Sequence, residues 1–129
     1  MKPFRYFAAT TAVFGLAFAL PAQAHPRLVS SSPVTAANAI NVRIITLNFN
    51  ESILPQMSGL EIIMTGIPGM AGHHPSMKVT GIKVAASADR KSLTARLPRR
   101  LSAGTYDVSW HAVGSDTHRV TGKVSFTAR

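Results

Sequence analysis

The sequence predicts an all-β fold, a Greek-key β-sandwich or barrel of about seven short strands. Three observations predict it. From residue 26 onward apolar side chains recur at every second position, not every third or fourth. Turn residues interrupt the chain roughly every ten positions. No segment after the first two dozen residues needs a helix of any length.

The first 24 residues lie outside that pattern. Lys2 and Arg5 precede an apolar run from Phe7 to Leu20 broken only by Thr10, Thr11 and Gly15, and the helix-breaking Pro21 then leads into Ala22-Gln23-Ala24. A positive start, an apolar middle and small residues flanking Gln23 mark a cleavable export signal. The run is too short to span a bilayer, and nothing later approaches the length needed. Cleavage after Ala24 makes residues 1–24 a signal peptide and leaves 25–129 as one small domain beginning at His25.

Within that domain, Pro26 to Ser31 reads as a first strand leading into Ser32-Pro33. In the second, Arg43, Ile45, Leu47 and Phe49 share a mostly apolar face that belongs on the core. Leu60 to Met64 is a brief third strand, after which Thr65 to Met77, with three glycines and two prolines, reads as a loop. Lys78 to Val84 resumes strand character, Ser87 to Ser92 is a polar turn, and Leu93, Ala95 and Leu97 alternate with Thr94 and Arg96. The clearest strand follows Leu101: Tyr106, Val108 and Trp110 fall on one face, and Asp107, Ser109 and His111 on the other. The single tryptophan is therefore expected in the core. A loop over Gly114-Ser115-Asp116-Thr117-His118 leads to a last strand whose Val120, Val124 and Phe126 face inward. This spacing of strands and turns is that of an immunoglobulin-like sandwich.

Cysteine is absent, so packing alone holds this small exported domain and thiol chemistry is excluded. Lys2 and Arg5 leave with the signal, and twelve basic residues then face five acids. They are scattered singly apart from Asp89-Arg90-Lys91 and Pro98-Arg99-Arg100, with no basic stripe carrying interleaved aromatics. That pattern argues against nucleic acid. A solvated basic face is the simple reading, and attraction to an anionic bilayer or a membrane partner is the alternative. There is no Ser-His-Asp set, no phosphate-binding glycine loop and no paired-carboxylate site.

Two constellations carry metal chemistry. Once cleaved, His25 offers a free α-amine and its imidazole Nδ1, which can close a chelate ring on one ion. Pro26 has no N–H, so the next backbone nitrogen cannot join. Asp116 and His118, one residue apart, point the same way if their loop is extended, and neighbouring first and last strands would bring His25 to them. Two imidazoles, an amine and a carboxylate suit Cu(II) in a tetragonal arrangement, with Zn(II) and Ni(II) as competitors, and Glu51 can add an outer or axial oxygen. The alternative is that Asp116 caps a turn and His118 is a surface histidine.

The second constellation is Met64, Met70 and Met77 with His73 and His74. Met57 or Met64 taken singly reads as core filler. Met70 and Met77 sit in the glycine- and proline-rich loop with two histidines between them, and thioethers with imidazole in an oxidising compartment select Cu(I). The alternative is a loop whose methionines simply pack on the sheet. His111, opposite the core face of its strand, reads as a surface residue without a role.

These residues resemble the CopC/PcoC family of periplasmic copper-resistance proteins over essentially the whole mature chain. The carriers are His25-Pro26-Arg27-Leu28-Val29-Ser30 at the mature start, Phe49-Asn50-Glu51, Ala103-Gly104-Thr105-Tyr106 with Trp110, and Ser115-Asp116-Thr117-His118 with Gly122. The resemblance implies a cupredoxin-like or immunoglobulin-like barrel in the periplasm. It also implies a Cu(II) site at His25, Asp116 and His118, with Glu51 a variable contributor. Some members bind Cu(I) in a methionine loop. Met64, Met70 and Met77 match it, Ile67 replaces one methionine, and either His73 or His74 fills the histidine place. The implied role is that of a monomeric copper carrier, not an enzyme. It would exchange copper with a membrane protein of the CopD type, an outer-membrane protein or a multicopper oxidase. Two other readings remain open at this stage: a histidine-brace copper oxidative enzyme, and a metal-free adhesive sandwich.

Overall fold

A computed structural model describes residues 25–70 and 75–129. Residues 1–24, expected from sequence to be an export signal, and His73 and His74 lie outside the described residues. Among the described residues nine strands form two sheets: β1 (Leu28–Ser32), β2 (Asn38–Ala39), β3 (Ile44–Phe49), β4 (Gly59–Gly66), β5 (Met77–Lys78), β6 (Lys83–Ala86), β7 (Ser92–Arg96), β8 (Gly104–Val113) and β9 (Arg119–Ala128). One sheet has the order β1-β3-β7-β6 and the other β2-β9-β8-β4-β5. The fold is the two-layer β-sandwich that the alternation predicts. Among the described residues the only helical turn is Pro55–Met57, and no helix is long and apolar enough to cross a membrane.

The inward faces are those expected from period two. Ile45, Leu47 and Phe49 of β3 and Leu93 and Ala95 of β7 meet Leu60, Ile62 and Met64 of β4 and Tyr106, Val108 and Trp110 of β8. Val124, Phe126 and Ala128 of β9 complete the core. Arg43 precedes β3 and is exposed, so the apolar face starts at Ile45. The phenol of Tyr106 donates to the carbonyl of Ser102 at 2.8 Å, which gives a buried hydroxyl its partner, and burial raises the Tyr106 pKa.

Two strands exceed the expected seven. Asn38–Ala39 adds a short parallel pairing to the end of β9. The stretch expected as one strand from Lys78 to Val84 is two strands in different sheets. Met77–Lys78 pairs antiparallel with β4, whereas Lys83–Ala86 pairs with β7. The crossing occurs at Gly81, whose φ of +75° is a left-handed conformation that a glycine adopts without strain. Local alternation is the same in either sheet and carries no sign of the switch.

β8 is the axis on which the rest is placed. It pairs with β9 from Gly104↔Ala128 to Val113↔Arg119 and with β4 from Gly59↔His111 to Gly66↔Thr105. One end of β8 therefore opens into the Gly114–His118 hairpin loop, and the other adjoins Met64 and the methionine loop. The two ends are roughly 25–30 Å apart at the usual rise per residue.

Candidate metal centre

The N-terminal segment is fastened before it reaches β1. Pro26 is fully buried, the Arg27 amide donates to the Asn50 side-chain oxygen at 2.6 Å, and the Asn50 amide donates to the Arg27 carbonyl at 3.0 Å. Asn50 follows β3, and its neighbours lock to the hairpin that bears Asp116 and His118. Ile53 bridges Gly114, the Leu54 amide donates to the Val113 carbonyl at 2.8 Å, and the rings of Phe49 and Trp110 meet edge to face at 5.2 Å.

The hairpin loop is not extended at Asp116, contrary to the condition attached to its sequence spacing. The Thr117 amide donates to the Gly114 carbonyl at 3.0 Å, and Thr117 itself adopts a φ of +67°. Asp116 and His118 nevertheless converge, because the carboxylate folds over the turn. Its Oδ1 accepts the His118 amide at 3.1 Å, and its Oδ2 lies 2.9 Å from His118 Nδ1. This is the turn-capping role weighed as an alternative, and the same geometry also sets the imidazole in place.

His25 reaches this loop from the opposite sheet. Its Nδ1 lies 3.0 Å from the same Asp116 Oδ2, and its ring meets that of His118 at 5.0 Å between centroids. One donor atom each from His25, Asp116 and His118 lies within 4.8 Å of the others. The His118 contact holds the Asp116 carboxyl below its ordinary pKa, against the opposing effect of burial, with a smaller contribution from His25.

The donor set fits a borderline divalent ion. His25 Nδ1 is shielded from solvent, and although it lies close to Asp116 Oδ2, the angle does not make a hydrogen bond. A shielded nitrogen with no properly aimed partner is a cost that an ion would relieve. The His118 side chain is 71% exposed, which leaves an open approach. Glu51 is half-buried on the neighbouring loop, directly after Asn50, and is outside the three-donor group.

Met64, Met70 and Met77 lie toward the other end of β8. Met64 is buried in the core and pairs in register with Met77, which is not in the loop as its surroundings suggest but opens β5 and is about half exposed. Both line a hollow of about 500 Å³ beside Tyr106. Met70 is also about half exposed, in a turn closed by its own amide donating to the Ile67 carbonyl at 3.1 Å. Met57 is exposed, so the core role allowed it from sequence falls to Met64 alone. His111 is half-buried on the outer face beside Gly59. Sequence reasoning gave Asn50 no role, although a side-chain amide directly after an apolar strand face was the available signal.

Residues 28–129 match the CopC domain. The chain belongs to the CopC domain family. It is 44% identical, over the full length of both chains, to a copper resistance protein C of Xanthomonas campestris pv. juglandis. A copper resistance protein C of Escherichia coli is 46% identical over 91% of this chain and 90% of its own. The crystal structure of PcoC, a methionine-rich copper resistance protein from Escherichia coli, superposes with a TM-score of 0.74 at 42% identity, covering 82% of this chain and all of that one. The CopC match begins three residues after His25.

Proposed function

We propose that the protein is a periplasmic copper carrier, exported by cleavage after Ala24. It holds Cu(II) through the α-amine and imidazole of His25 together with Asp116 and His118. The observation that carries this reading is the convergence of the three donors on one point from two sheets. Asp116 keeps both imidazoles facing that point before the ion arrives, and uptake exchanges its contacts at Nδ1 for the metal. Glu51 supplies an outer oxygen. Relatives named for copper resistance support copper over Zn(II) or Ni(II) as the cargo.

Cu(I) is held at the other pole by Met64, Met77 and Met70 with His73 or His74. The register pairing of Met64 with Met77 supports two thioethers as the nucleus of that site. Release goes to a membrane copper transporter of the CopD type or to another periplasmic or outer-membrane copper protein. The protein acts as a monomer and performs no catalysis.

The deciding experiment compares protein beginning at His25 with protein retaining one extra N-terminal residue, each loaded with Cu(II) and examined by EPR. The extension removes only the chelating amine. Tight binding and a nitrogen-rich tetragonal spectrum in the first form alone support the site, whereas equal binding by both rejects the N-terminal chelate.

A further inference from the structure

Basic residues that are scattered in sequence gather at the Met77 end of the sandwich. Arg43 precedes β3, Arg96 ends β7, Lys83 opens β6, and Arg99 and Arg100 occupy the connection to β8; all five are exposed. Lys83 and Arg96 stand directly opposite each other on neighbouring strands, a like-charge pairing that costs stability. Among the described residues none of the five forms an ion pair with a carboxylate. Arg100 has only the Asn41 side-chain oxygen, at 3.3 Å. Arg129 also borders this end.

The chain's five acids leave this end uncompensated. Glu61 is taken by Lys78 at 2.9 Å and Asp107 by Lys123 at 3.4 Å, while Glu51, Asp89 and Asp116 stand toward the hairpin pole. The surface is also concave. The 500 Å³ hollow floored by Met64 and Met77 adjoins a second of about 730 Å³ bordered by Arg43, and Arg99, Arg100, Leu101 and Ser102 line both.

We propose that this arginine-rimmed trough is a docking surface for an extended acidic peptide segment of a partner protein. Guanidinium groups match carboxylates with two parallel hydrogen bonds, a geometry that an ammonium cannot reproduce. A trough admits a narrow chain, whereas a bilayer surface would reach only its rim. The thioethers and Tyr106 on the floor add apolar contact along the same path. Uncompensated charge at one pole also steers a partner to that pole. The inference does not depend on copper being bound.

The test uses metal-free protein beginning at His25 and a dye-labelled peptide of glutamates, followed by fluorescence anisotropy at low and moderate salt. Binding should weaken as salt rises. Arg99→Glu combined with Arg100→Glu should reduce affinity by about tenfold or more, the loss expected for charge-assisted hydrogen bonds. Arg90→Glu combined with Lys91→Glu changes net charge equally at the other pole and should leave the affinity within about twofold of the parent. No peptide binding, or equal losses in both variants, overturns the proposal. So does binding to phosphatidylglycerol vesicles without binding to the peptide, which assigns the surface to a bilayer.

Discussion

The imidazole Nδ1 of His25 lies 3.0 Å from Oδ2 of Asp116, joining the segment before β1 to the hairpin between β8 and β9. The same oxygen lies 2.9 Å from His118 Nδ1, so one carboxylate orients two imidazoles. Replacing Asp116 with Asn keeps the size and removes the charge. Cu(II) affinity should fall by roughly tenfold or more, since losing a proposed ligand should cost at least as much as losing an outer-shell partner. A competition titration against a chelator measures it, and unchanged affinity would show that Asp116 only shapes the turn.

Met77 is about half exposed and Met64 is buried, so their substitutions separate binding from packing. Met77→Leu should leave the melting temperature unchanged and weaken Cu(I) binding. Met64→Leu should weaken Cu(I) binding and cost up to about 1.5 kcal/mol, the usual limit for a volume-conserving core exchange. Neither should change the Cu(II) EPR signal, because the pairings of β8 set the two ends of the sheet far apart. A changed Cu(II) signal would mean that the sites are coupled.

Gly122 lies opposite Trp110 in register, and a Cβ there would stand 2.6 Å from Trp110 Cε2. Real side chains do not approach that closely, so Gly122→Ala must displace the indole or the strand. The expected cost is about 1–3 kcal/mol. Trp110 is the only tryptophan, so its emission reports the displacement directly. A wild-type spectrum and melting temperature in the variant would show that the core yields without cost.

Asp89 ties the β6–β7 turn together, accepting the Ser87 hydroxyl at 2.6 Å and the Lys91 amide at 3.0 Å. The Ser87 hydrogen bond, and then the Lys91 amide, hold its carboxyl below the ordinary pKa. A depressed pKa means that the folded state favours the ionised form. The contribution is therefore present above the ordinary aspartate pKa and fades as pH falls through the folded value, from about pH 5 downward. Asp89→Asn should flatten that part of the stability curve in denaturant unfolding at stepped pH. A curve parallel to wild type would remove Asp89 as a source of acid sensitivity. The turn also accepts the Phe49 and Ile53 amides through the Lys91 and Arg90 carbonyls, so its loosening should reach the loop that carries Asn50.

The alternation of Ile45, Leu47 and Phe49 and of Tyr106, Val108 and Trp110 made the inward faces readable, because side-chain direction in a strand is a local property of period two. The three candidate ligands His25, Asp116 and His118 were readable as donor types for the same kind of reason, since their chemistry belongs to each residue. Their meeting was not local. It depends on the clamp between Arg27 and Asn50, on the Ile53 bridge to Gly114 and on the Asp116 cap, which link segments far apart in sequence.

What the sequence determined by itself was the all-β class, the faces of the main strands and the residues able to bind metal. Only the tertiary structure decided that Met77 leaves the loop to pair with Met64, that the chain changes sheets at Gly81, and that Arg43, Lys83, Arg96, Arg99 and Arg100 share one pole. The physical reason is one of range. Alternation and ligand chemistry are carried by neighbouring residues, whereas register, sheet choice and the field of gathered charges arise from pairings between distant strands, which no local pattern encodes.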